Sequence, residues 1–243
     1  MVPILYEDNH CLALDKPAGL LAQGDATGEP TLIDEARAYL KGRYGKPGNV
    51  FVGLVHRLDR PTSGVLLLAR TSKAAGRLSA QFRDGTVEKA YRAVVEGSVA
   101  DDSGEWCDVL LKDERRNVVE VVPAGTRGGR EARLAFRVLG RGRGMTTLEL
   151  RPTTGRGHQL RVQLASRGVP IVGDRKYGAT TTLRALDGKP RVALHAERLT
   201  FRHPTRGGAI SVAAPVPADW PASASGTPGR RRDSSTPGES RGP

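Results

Sequence analysis

The chain has 243 residues, and its 38 lysines and arginines against 26 aspartates and glutamates give a formal net charge of +12 at pH 7. This length fits one large domain or two small ones, and the charge favours a polyanionic partner such as nucleic acid, although a GC-rich genome that encodes arginine freely would also raise it. The two cysteines exclude a disulfide framework or a cysteine zinc site, and no signal peptide or membrane-length apolar stretch is evident, so we expect a cytoplasmic protein that does not enter membranes.

Strands and helices alternate in the first third of the sequence. An apolar run at residues 11–14 predicts a short strand. Thr31 is the expected N-cap of a helix that continues to about residue 41. The continuous apolar run at 65–69 is typical of a strand that is buried on both faces. Ser72 is then expected to cap a second helix that ends near Phe82.

The rest of the sequence is dominated by predicted strands. One short amphipathic helix is expected at residues 158–167, where Gly168 stops it. The strands are expected near residues 88–95, 107–111, 117–122, 131–139, 146–151, 191–202 and 209–213. This succession predicts an α+β domain with a mixed, largely antiparallel central sheet and flanking helices and loops. We expect the domain to cover residues 1–220, and residues 221–243, which lack large apolar side chains, to form a disordered basic tail.

The densest polar cluster is the segment His56-Arg57-Leu58-Asp59-Arg60-Pro61-Thr62-Ser63-Gly64, which lies between two apolar runs. Its proline and glycine restrict the backbone, so we expect a rigid turn that presents His56, Arg57, Asp59 and Arg60 together. An oriented, ionised carboxylate among arginines could attack a sugar carbon or abstract a proton. The alternative is an Asp–Arg pair that only braces the turn. A metal site is disfavoured, because no further cluster of histidines or carboxylates accompanies this one.

Two further segments carry candidate binding groups. The run Thr153-Thr154-Gly155-Arg156-Gly157-His158-Gln159-Leu160-Arg161 begins a predicted helix, where backbone N–H groups suit phosphate binding and Arg161 could face the same pocket. It could also be a helix cap with surface arginines. Lys89 and Tyr91 share one face of a predicted strand. A tyrosine in a basic groove can stack on a base drawn out of an RNA helix, although an ordinary half-buried aromatic would give the same pattern.

Together these segments resemble the RluA family of pseudouridine synthases, in family order and over roughly residues 4 to 217. The matching motifs are Lys16-Pro17-Ala18-Gly19, His56-Arg57-Leu58-Asp59 with Thr62-Ser63-Gly64, Lys89-Ala90-Tyr91, Thr154-Gly155-Arg156-Gly157-His158-Gln159-Leu160-Arg161, Gly173-Asp174 with Tyr177-Gly178, and Leu194-His195-Ala196. The family usually has threonine where Gly157 stands. Many relatives also carry a small basic RNA-binding domain at the N-terminus, which is not expected here because the likeness begins almost at Met1.

The resemblance implies an isomerase that breaks the C1′–N1 bond of a uridine in structured RNA, turns the uracil and rejoins it through C5, without cofactor or metal. It implies that Asp59 is the catalytic carboxylate, that Tyr91 stacks on the uracil and that Arg161 pairs with Asp59. Arg57 matches a residue thought to fill the gap left by the flipped-out base. The expected partner is rRNA or tRNA, and we expect a monomer with no obligatory protein partner.

The basic side chains of the same motifs are the expected RNA contacts. They are His56, Arg57, Arg60, Lys89, Arg156 and His158. Two other functions are less well supported. A non-catalytic RNA-binding protein would be favoured by loss of Asp59, Tyr91 or Arg161, and all three are present. A nucleosidase or glycosidase that uses Asp59 would normally need a partner carboxylate, and the motifs provide no convincing one.

Overall fold

The computed structural model describes residues 1–25, 28–45 and 47–221, so the predicted basic tail lies outside the described residues apart from Pro221. Within these ranges the strands form one eleven-stranded sheet. They are β1 (Ile4–Glu7), β2 (Cys11–Lys16), β3 (Gly53–Leu54), β4 (Ser63–Ala69), β5 (Glu88–Glu96), β6 (Ser103–Asp113), β7 (Val118–Val122), β8 (Arg130–Gly142), β9 (Met145–Pro152), β10 (Leu194–Arg202) and β11 (Ala209–Ala213). The α-helices are α1 (Leu32–Tyr44), α2 (Ser72–Arg83) and α3 (Gln159–Ala165), and a 3₁₀ turn spans Arg175–Tyr177. Of the helices in the described residues, none combines the length and the apolar character needed to cross a membrane.

The strand order places the turn that carries Asp59 near the centre of the sheet. Along the main path the order is β1-β2-β4-β10-β5-β9-β8-β6-β7, with β3 paired to β4 and β11 to β10. Strands β4 and β10 are parallel, with Ser63 opposite His195, and the other pairs of described strands are antiparallel. The predicted α+β class with a mixed, largely antiparallel sheet is therefore confirmed. Because β4 begins directly after the turn that carries Asp59, its pairing with β10 fixes the position of this turn in the fold.

Both faces of the sheet are covered around β4, which explains its unbroken apolar run. Alternate residues of a strand point to opposite faces. Val65 and Leu67 pack with side chains of α2, whereas Leu66 and Leu68 pack with side chains of α1. All seven residues of β4 are buried, which confirms the predicted buried strand.

The helix boundaries follow from local capping groups. Thr31 caps α1 as predicted, because its hydroxyl accepts the Asp34 N–H while the Asp34 carboxylate accepts the Thr31 N–H. This helix runs past the predicted end and stops at Gly45, which has a left-handed φ of 55°. The predicted cap of α2 is wrong by one residue. Thr71 is the extended residue whose side chain caps the helix, and Ser72 is the first helical residue.

Several strand limits also differ from the prediction, for local reasons. Strands β1 and β3 were not predicted, because four and two partly buried residues carry no periodic signal. Strand β10 begins at Leu194 instead of near residue 191. The N–H groups of Val192 and Ala193 donate to carbonyls of Pro61 and Val172, which lie in loops outside the sheet. A tertiary contact therefore shortens this strand.

A glycine allows the close approach of β4 to β10 beside the Asp59 turn. Gly64 has a φ of 111°, and a Cβ atom there would lie 2.3 Å from the carbonyl oxygen of Ala196. No side chain fits such a gap. On β5, which lies next to β10, Tyr91 packs against two hydrophobic clusters, one that contains Leu194 and one that contains Leu58. The turn and the tyrosine are thus brought together by the pairing of β4, β10 and β5.

Candidate active site

The turn that carries Asp59 is held by the side chain of Lys16. This lysine is fully buried at the end of β2, and its Nζ donates to the carbonyls of Pro17 at 3.0 Å and Arg60 at 3.1 Å. The Gly19 N–H donates to the same Arg60 carbonyl at 2.8 Å. Burial lowers the pKa of Lys16 to about 7, although the Asp59 carboxylate opposes this. No role of Lys16 was predicted from the sequence, and in the structure its side chain supports the backbone beside Asp59.

The structure corrects the expectation that His56 is presented together with Asp59. His56 Nε2 accepts the Leu67 N–H at 2.9 Å, and its ring stacks on Phe82 with 4.4 Å between the ring centroids. Burial, helped by the charge of Lys89, lowers the pKa of His56 to about 3, so the ring is neutral. The reason for this orientation is that the Leu67 N–H is buried and needs an acceptor. His56 therefore braces the turn against β4 and α2.

Two neutral histidines, of which His56 is partly buried and His195 is buried, predict a loss of stability in acid. His195 lies 2.9 Å from Ser63 Oγ through Nδ1, and burial lowers its pKa, as it does for His56. The unfolded chain therefore takes up protons first as the pH falls, and the free energy of unfolding should decline from about pH 6.5 towards about pH 3. For His56 the expected loss is about 2–4 kcal/mol. Urea denaturation measured at several pH values within this window would show it.

A matched variant separates the part of this pH dependence that is due to His56 from the part that is due to the aspartate and glutamate side chains. Glutamine at this position, His56→Gln, can still accept the Leu67 N–H but does not titrate. Its free energy of unfolding should decline less steeply than that of the wild type as the pH falls. Equal pH dependence of the two proteins would contradict the proposed burial of a neutral ring.

Asp59, Tyr91 and Arg161 line one pocket, although they come from three distant segments of the chain. Arg161 Nη1 donates to Asp59 Oδ2 at 3.0 Å. On its other side, Arg161 Nε and Nη2 donate to the two carboxylate oxygens of Asp174 at 2.7 Å and 2.8 Å. The guanidinium thus joins Asp59, whose side chain is 29% exposed, to Asp174, whose side chain is 1% exposed.

This arrangement keeps Arg161 charged and fixed in orientation. Burial acts to lower the pKa of Arg161, but the hydrogen bonds and charge of Asp174, together with Asp59, hold that pKa above its ordinary value. A bidentate carboxylate also fixes the plane of the guanidinium, so Nη1 is directed at Asp59. Asp174 was not among the predicted site residues. Its only sequence signal is its place beside Gly173 in a short motif, which does not reveal what it contacts.

Tyr91 and Lys89 lie on one face of β5, as predicted, and both line the pocket. Burial and the charge of Asp59 raise the pKa of Tyr91, so its phenol stays protonated at neutral pH. Lys89 Nζ donates to the Thr154 carbonyl at 3.0 Å. Burial and the nearby Arg156 guanidinium lower the pKa of Lys89 to about 8. The lysine therefore ties β5 to the segment before α3 and places a positive charge inside the pocket.

The segment between β9 and α3 is held in place by hydrogen bonds of the Gln159 side chain. Gln159 Oε1 accepts the Thr154 O–H at 2.8 Å and the Arg156 N–H at 3.1 Å, and Gln159 Nε2 donates to the Arg133 carbonyl at 3.0 Å. His158 precedes the helix with a left-handed φ of 53°. The Gln159 N–H donates to the Arg156 carbonyl at 3.2 Å, so two backbone N–H groups of this segment are used within it. Phosphate binding at the start of the helix stays a prediction.

The predicted RNA-binding arginines differ in how they are held. Arg60 Nη2 donates to Glu29 Oε2 at 2.6 Å, so this side chain spans two loops. Arg156 Nε donates to the Glu131 carbonyl at 2.8 Å while the residue lines the pocket. Arg57 is exposed at the pocket. Of these three arginines, Arg57 is therefore the one whose side chain we expect to change position when a ligand binds.

The pocket opens into a wider groove with a basic lining. The groove lies between the loop at residues 21–25 and the β6–β7 hairpin, and it shares Asp59, His158 and Arg161 with the pocket. Besides Arg161, its positively charged side chains are Arg57, Arg60, Lys112, Arg156 and Lys176. A groove of this kind suits a polyanion that passes over the pocket, which agrees with the positive charge of the sequence.

A possible metal-ligand group among the described residues lies away from this pocket. It consists of Asp8, Cys11 and His203. Asp8 Oδ1 already accepts the Cys11 N–H at 2.8 Å, and Asp8 Oδ2 lies 2.7 Å from His203 Nε2. Cys11 is at the opposite end of β2 from Lys16, on the order of 15 Å along the strand. This network joins the β1–β2 turn to the β10–β11 turn, and its three residues are not part of the lining of the pocket.

Comparisons with known proteins place this chain in a family. The family described as RNA pseudouridylate synthase matches residues 10–166. The ribosomal large subunit pseudouridine synthase D of Xanthomonas campestris is 41% identical over 226 residues, which are 89% of this chain and 66% of that protein. The chain thus spans just under two thirds of the length of this relative. The dual-specificity RNA pseudouridine synthase RluA of Pasteurella multocida is 37% identical over 214 residues, which are 87% of this chain and 92% of that protein.

Solved structures share the fold. Human RNA pseudouridylate synthase domain containing 4 superposes with a TM-score of 0.74 and 25% identity over 89% of each chain. Human RNA pseudouridylate synthase domain containing 1 has a TM-score of 0.68 and 26% identity, over 88% of this chain and 83% of that one. Both superpositions thus include more than four fifths of each chain.

Proposed function

This chain belongs to the RluA-type family of RNA pseudouridine synthases, and from that premise we propose that it isomerises specific uridines in structured RNA to pseudouridine. The observation that carries the proposal is the 3.0 Å contact of Arg161 Nη1 with Asp59 Oδ2 in a pocket that Tyr91 also lines. An oriented carboxylate, a fixed cation and an aromatic face are the groups that the reaction requires. The proposed substrate is rRNA or tRNA.

In the proposed reaction one bond to the ribose replaces another. The N1–C1′ bond breaks, the uracil turns, and a C5–C1′ bond forms. The proton on C5 leaves to solvent while N1 gains one, so no electrons are gained or lost. The proposal therefore includes no cofactor and no metal. Asp59 is the group assigned to act on the ribose, either by attack at C1′ or by removal of the 2′ proton.

The uridine must first leave the RNA fold, which costs a few kcal/mol. We assign Tyr91 as the platform on which the uracil stacks, with about 1–3 kcal/mol gained from such a contact. Arg57, exposed at the pocket, is assigned to fill the space that the base leaves. The remaining predicted RNA contacts that line the pocket or the groove are Arg60, Lys89, Arg156 and His158. The charges of Arg60, Lys89 and Arg156 would bind the flanking phosphates, whereas burial lowers the pKa of His158, so that its ring contacts the RNA in the neutral form.

A hydrolytic function of Asp59 is less well supported by the geometry. Glycoside hydrolysis normally uses two available carboxyl groups. Asp174 is close to Asp59 through Arg161, but both of its oxygens accept hydrogen bonds from the guanidinium and its side chain is 1% exposed. It is therefore not available to activate water.

We propose that residues 1–220 act as the catalytic domain, in the cytoplasm, where rRNA and tRNA are present. We further propose that the protein acts as a monomer without an obligatory protein partner. The observation behind this is that Asp59, Tyr91 and Arg161 all come from one chain and line one pocket.

Mapping of pseudouridine across rRNA and tRNA tests the proposed function. We expect at least one site to disappear when the gene is deleted and to return with the wild-type gene. The Asp59→Ala form should not restore it, since the carboxylate is missing. If no site disappears on deletion, or if Asp59→Ala restores the site fully, the proposed function is wrong.

A further inference from the structure

The hydrogen bonds around Tyr177 assign the proton of His158 to one ring nitrogen. Tyr177 Oη accepts the Val119 N–H at 3.0 Å and lies 2.6 Å from His158 Nδ1. Burial raises the pKa of Tyr177, so the phenol keeps its single proton. The Tyr177 hydroxyl hydrogen has a hydrogen-bond partner in this arrangement only if it is donated to His158 Nδ1. His158 Nδ1 is then the acceptor, and Nε2 carries the ring proton.

The protonated nitrogen faces Asp59. His158 Nε2 lies 3.9 Å from Asp59 Oδ2, the oxygen that also accepts from Arg161. This distance is too long for a direct hydrogen bond. An oxygen placed between the two, about 2.8 Å from each, could accept from Nε2–H and donate to the carboxylate. A hydroxyl group can do both, because it carries one proton and two lone pairs.

The surroundings of His158 hold its ring in this orientation. The residue has a left-handed backbone with φ 53° and ψ 15°, which a non-glycine residue adopts only where its neighbours enforce it. Its ring meets the Tyr177 ring edge-on, with 5.6 Å between the ring centroids. The Arg161 guanidinium lies 5.0 Å from the centre of the same tyrosine ring. Tyr177 therefore contacts both basic side chains that face Asp59.

We propose that His158 Nε2 and Asp59 Oδ2 together bind the 2′-hydroxyl of the uridine that is isomerised. This rests on the proposed function, in which Asp59 acts at C1′ or at the 2′ proton and so lies beside that hydroxyl. The pair would make the pocket selective for ribose. A deoxyribose would leave Nε2–H without an acceptor in a partly buried site. His158 is then a substrate-binding residue, and Tyr177 is a positioning residue that acts through it.

The tautomer can be tested without RNA. Nitrogen NMR of the full-length protein should show His158 with an unprotonated Nδ1 and a protonated Nε2 near neutral pH. Tyr177→Phe removes the donor and should give a mixture of tautomers. Tyr39→Phe is the matched control, because it removes a phenol that donates to Glu7 at 2.7 Å outside the pocket, and it should leave the His158 signals unchanged. A wild-type His158 protonated on Nδ1 would overturn the inference.

The contact with the sugar can be tested by changing both partners. The substrate is a synthetic stem-loop RNA built around the uridine found by mapping, with ribose or 2′-deoxyribose at that nucleotide. We expect His158→Ala and the 2′-deoxy substitution each to lower kcat/KM by about 10- to 100-fold. Combined, they should cost little more than either alone. His158→Gln, whose amide can donate, should recover part of the loss on the ribose substrate. Thermal unfolding would verify that the variants are folded.

The outcomes separate this inference from the proposed function. Fully additive losses would mean that His158 does not contact the 2′-hydroxyl and would overturn the inference while the enzyme remains a pseudouridine synthase. A third substrate with 2-thiouridine tests the alternative that His158 donates to the O2 atom of uracil. Coupling of His158→Ala to that substitution instead of the 2′-deoxy one would also overturn the inference. An inactive wild type on every RNA would instead reject the proposed function.

Discussion

Replacement of Asp59 by asparagine is expected to lower the rate of pseudouridine formation by on the order of 10⁴-fold or more. The amide of Asp59→Asn keeps the shape of the side chain, and its oxygen can still accept from Arg161 Nη1. It lacks the negative charge needed to attack a carbon or remove a proton. Release of tritium from RNA labelled at C5 of uridine measures the reaction, because the C5 proton leaves to solvent. The affinity for RNA should change little, since the basic groove is intact.

Asp84→Asn provides the matched control for this prediction. Asp84 is an exposed carboxylate at the C-terminal end of α2. Its replacement removes the same charge from the protein, and we expect wild-type activity. The proposed role of Asp59 would be refuted by an Asp59→Asn protein that is as active as Asp84→Asn.

Replacement of Arg161 by methionine is expected to remove activity and to lower the free energy of unfolding by about 3–5 kcal/mol. The large effect on stability comes from Asp174, not from Asp59. The Asp174 side chain is 1% exposed and would lose its hydrogen bonds from Nε and Nη2, which leaves a buried charge without a partner. Asp59 is 29% exposed and can be solvated instead. Urea denaturation and the tritium assay measure the two effects separately.

A double variant separates the two consequences of losing Arg161. Asp174→Leu combined with Arg161→Met removes both buried charges, and an apolar replacement of a buried ion pair is often close to neutral. We expect most of the lost stability to return while activity stays absent, because nothing then orients Asp59. Arg116→Met, which breaks an exposed pair with Glu120, should change stability by no more than about 1 kcal/mol. Recovery of activity in the double variant would show that Arg161 matters only for folding.

Local sequence was sufficient for the elements with a strong pattern. The apolar run of β4 predicted a strand buried on both faces, and Thr31 with Asp34 formed the expected helix cap. Such features depend on residues a few positions apart, so a short window of sequence contains the interaction. The strands β1 and β3 have no such pattern, because they are stabilised by pairing with β2 and β4.

The sequence also predicted the candidate site residues, because their motifs occur in the order typical of one family. Each signal by itself left a structural alternative open, and the resemblance of the motifs to the RluA family implied that Asp59, Tyr91 and Arg161 belong to one site. The structure brings them to one pocket, although Asp59 and Arg161 are 102 positions apart. Their roles in catalysis stay predictions until the variants are measured.

The sequence by itself determined which residues could do the chemistry and the class of fold that carries them. Tertiary structure alone decided how those side chains are supported and where they point. His56 turned to Leu67, Asp174 closed on Arg161, and Tyr177 joined Val119 of β7 to His158. Each of these contacts satisfies a buried polar group with a partner from a different segment. The direction of such a side chain follows from the distant group that needs a hydrogen bond, and no short stretch of sequence contains both.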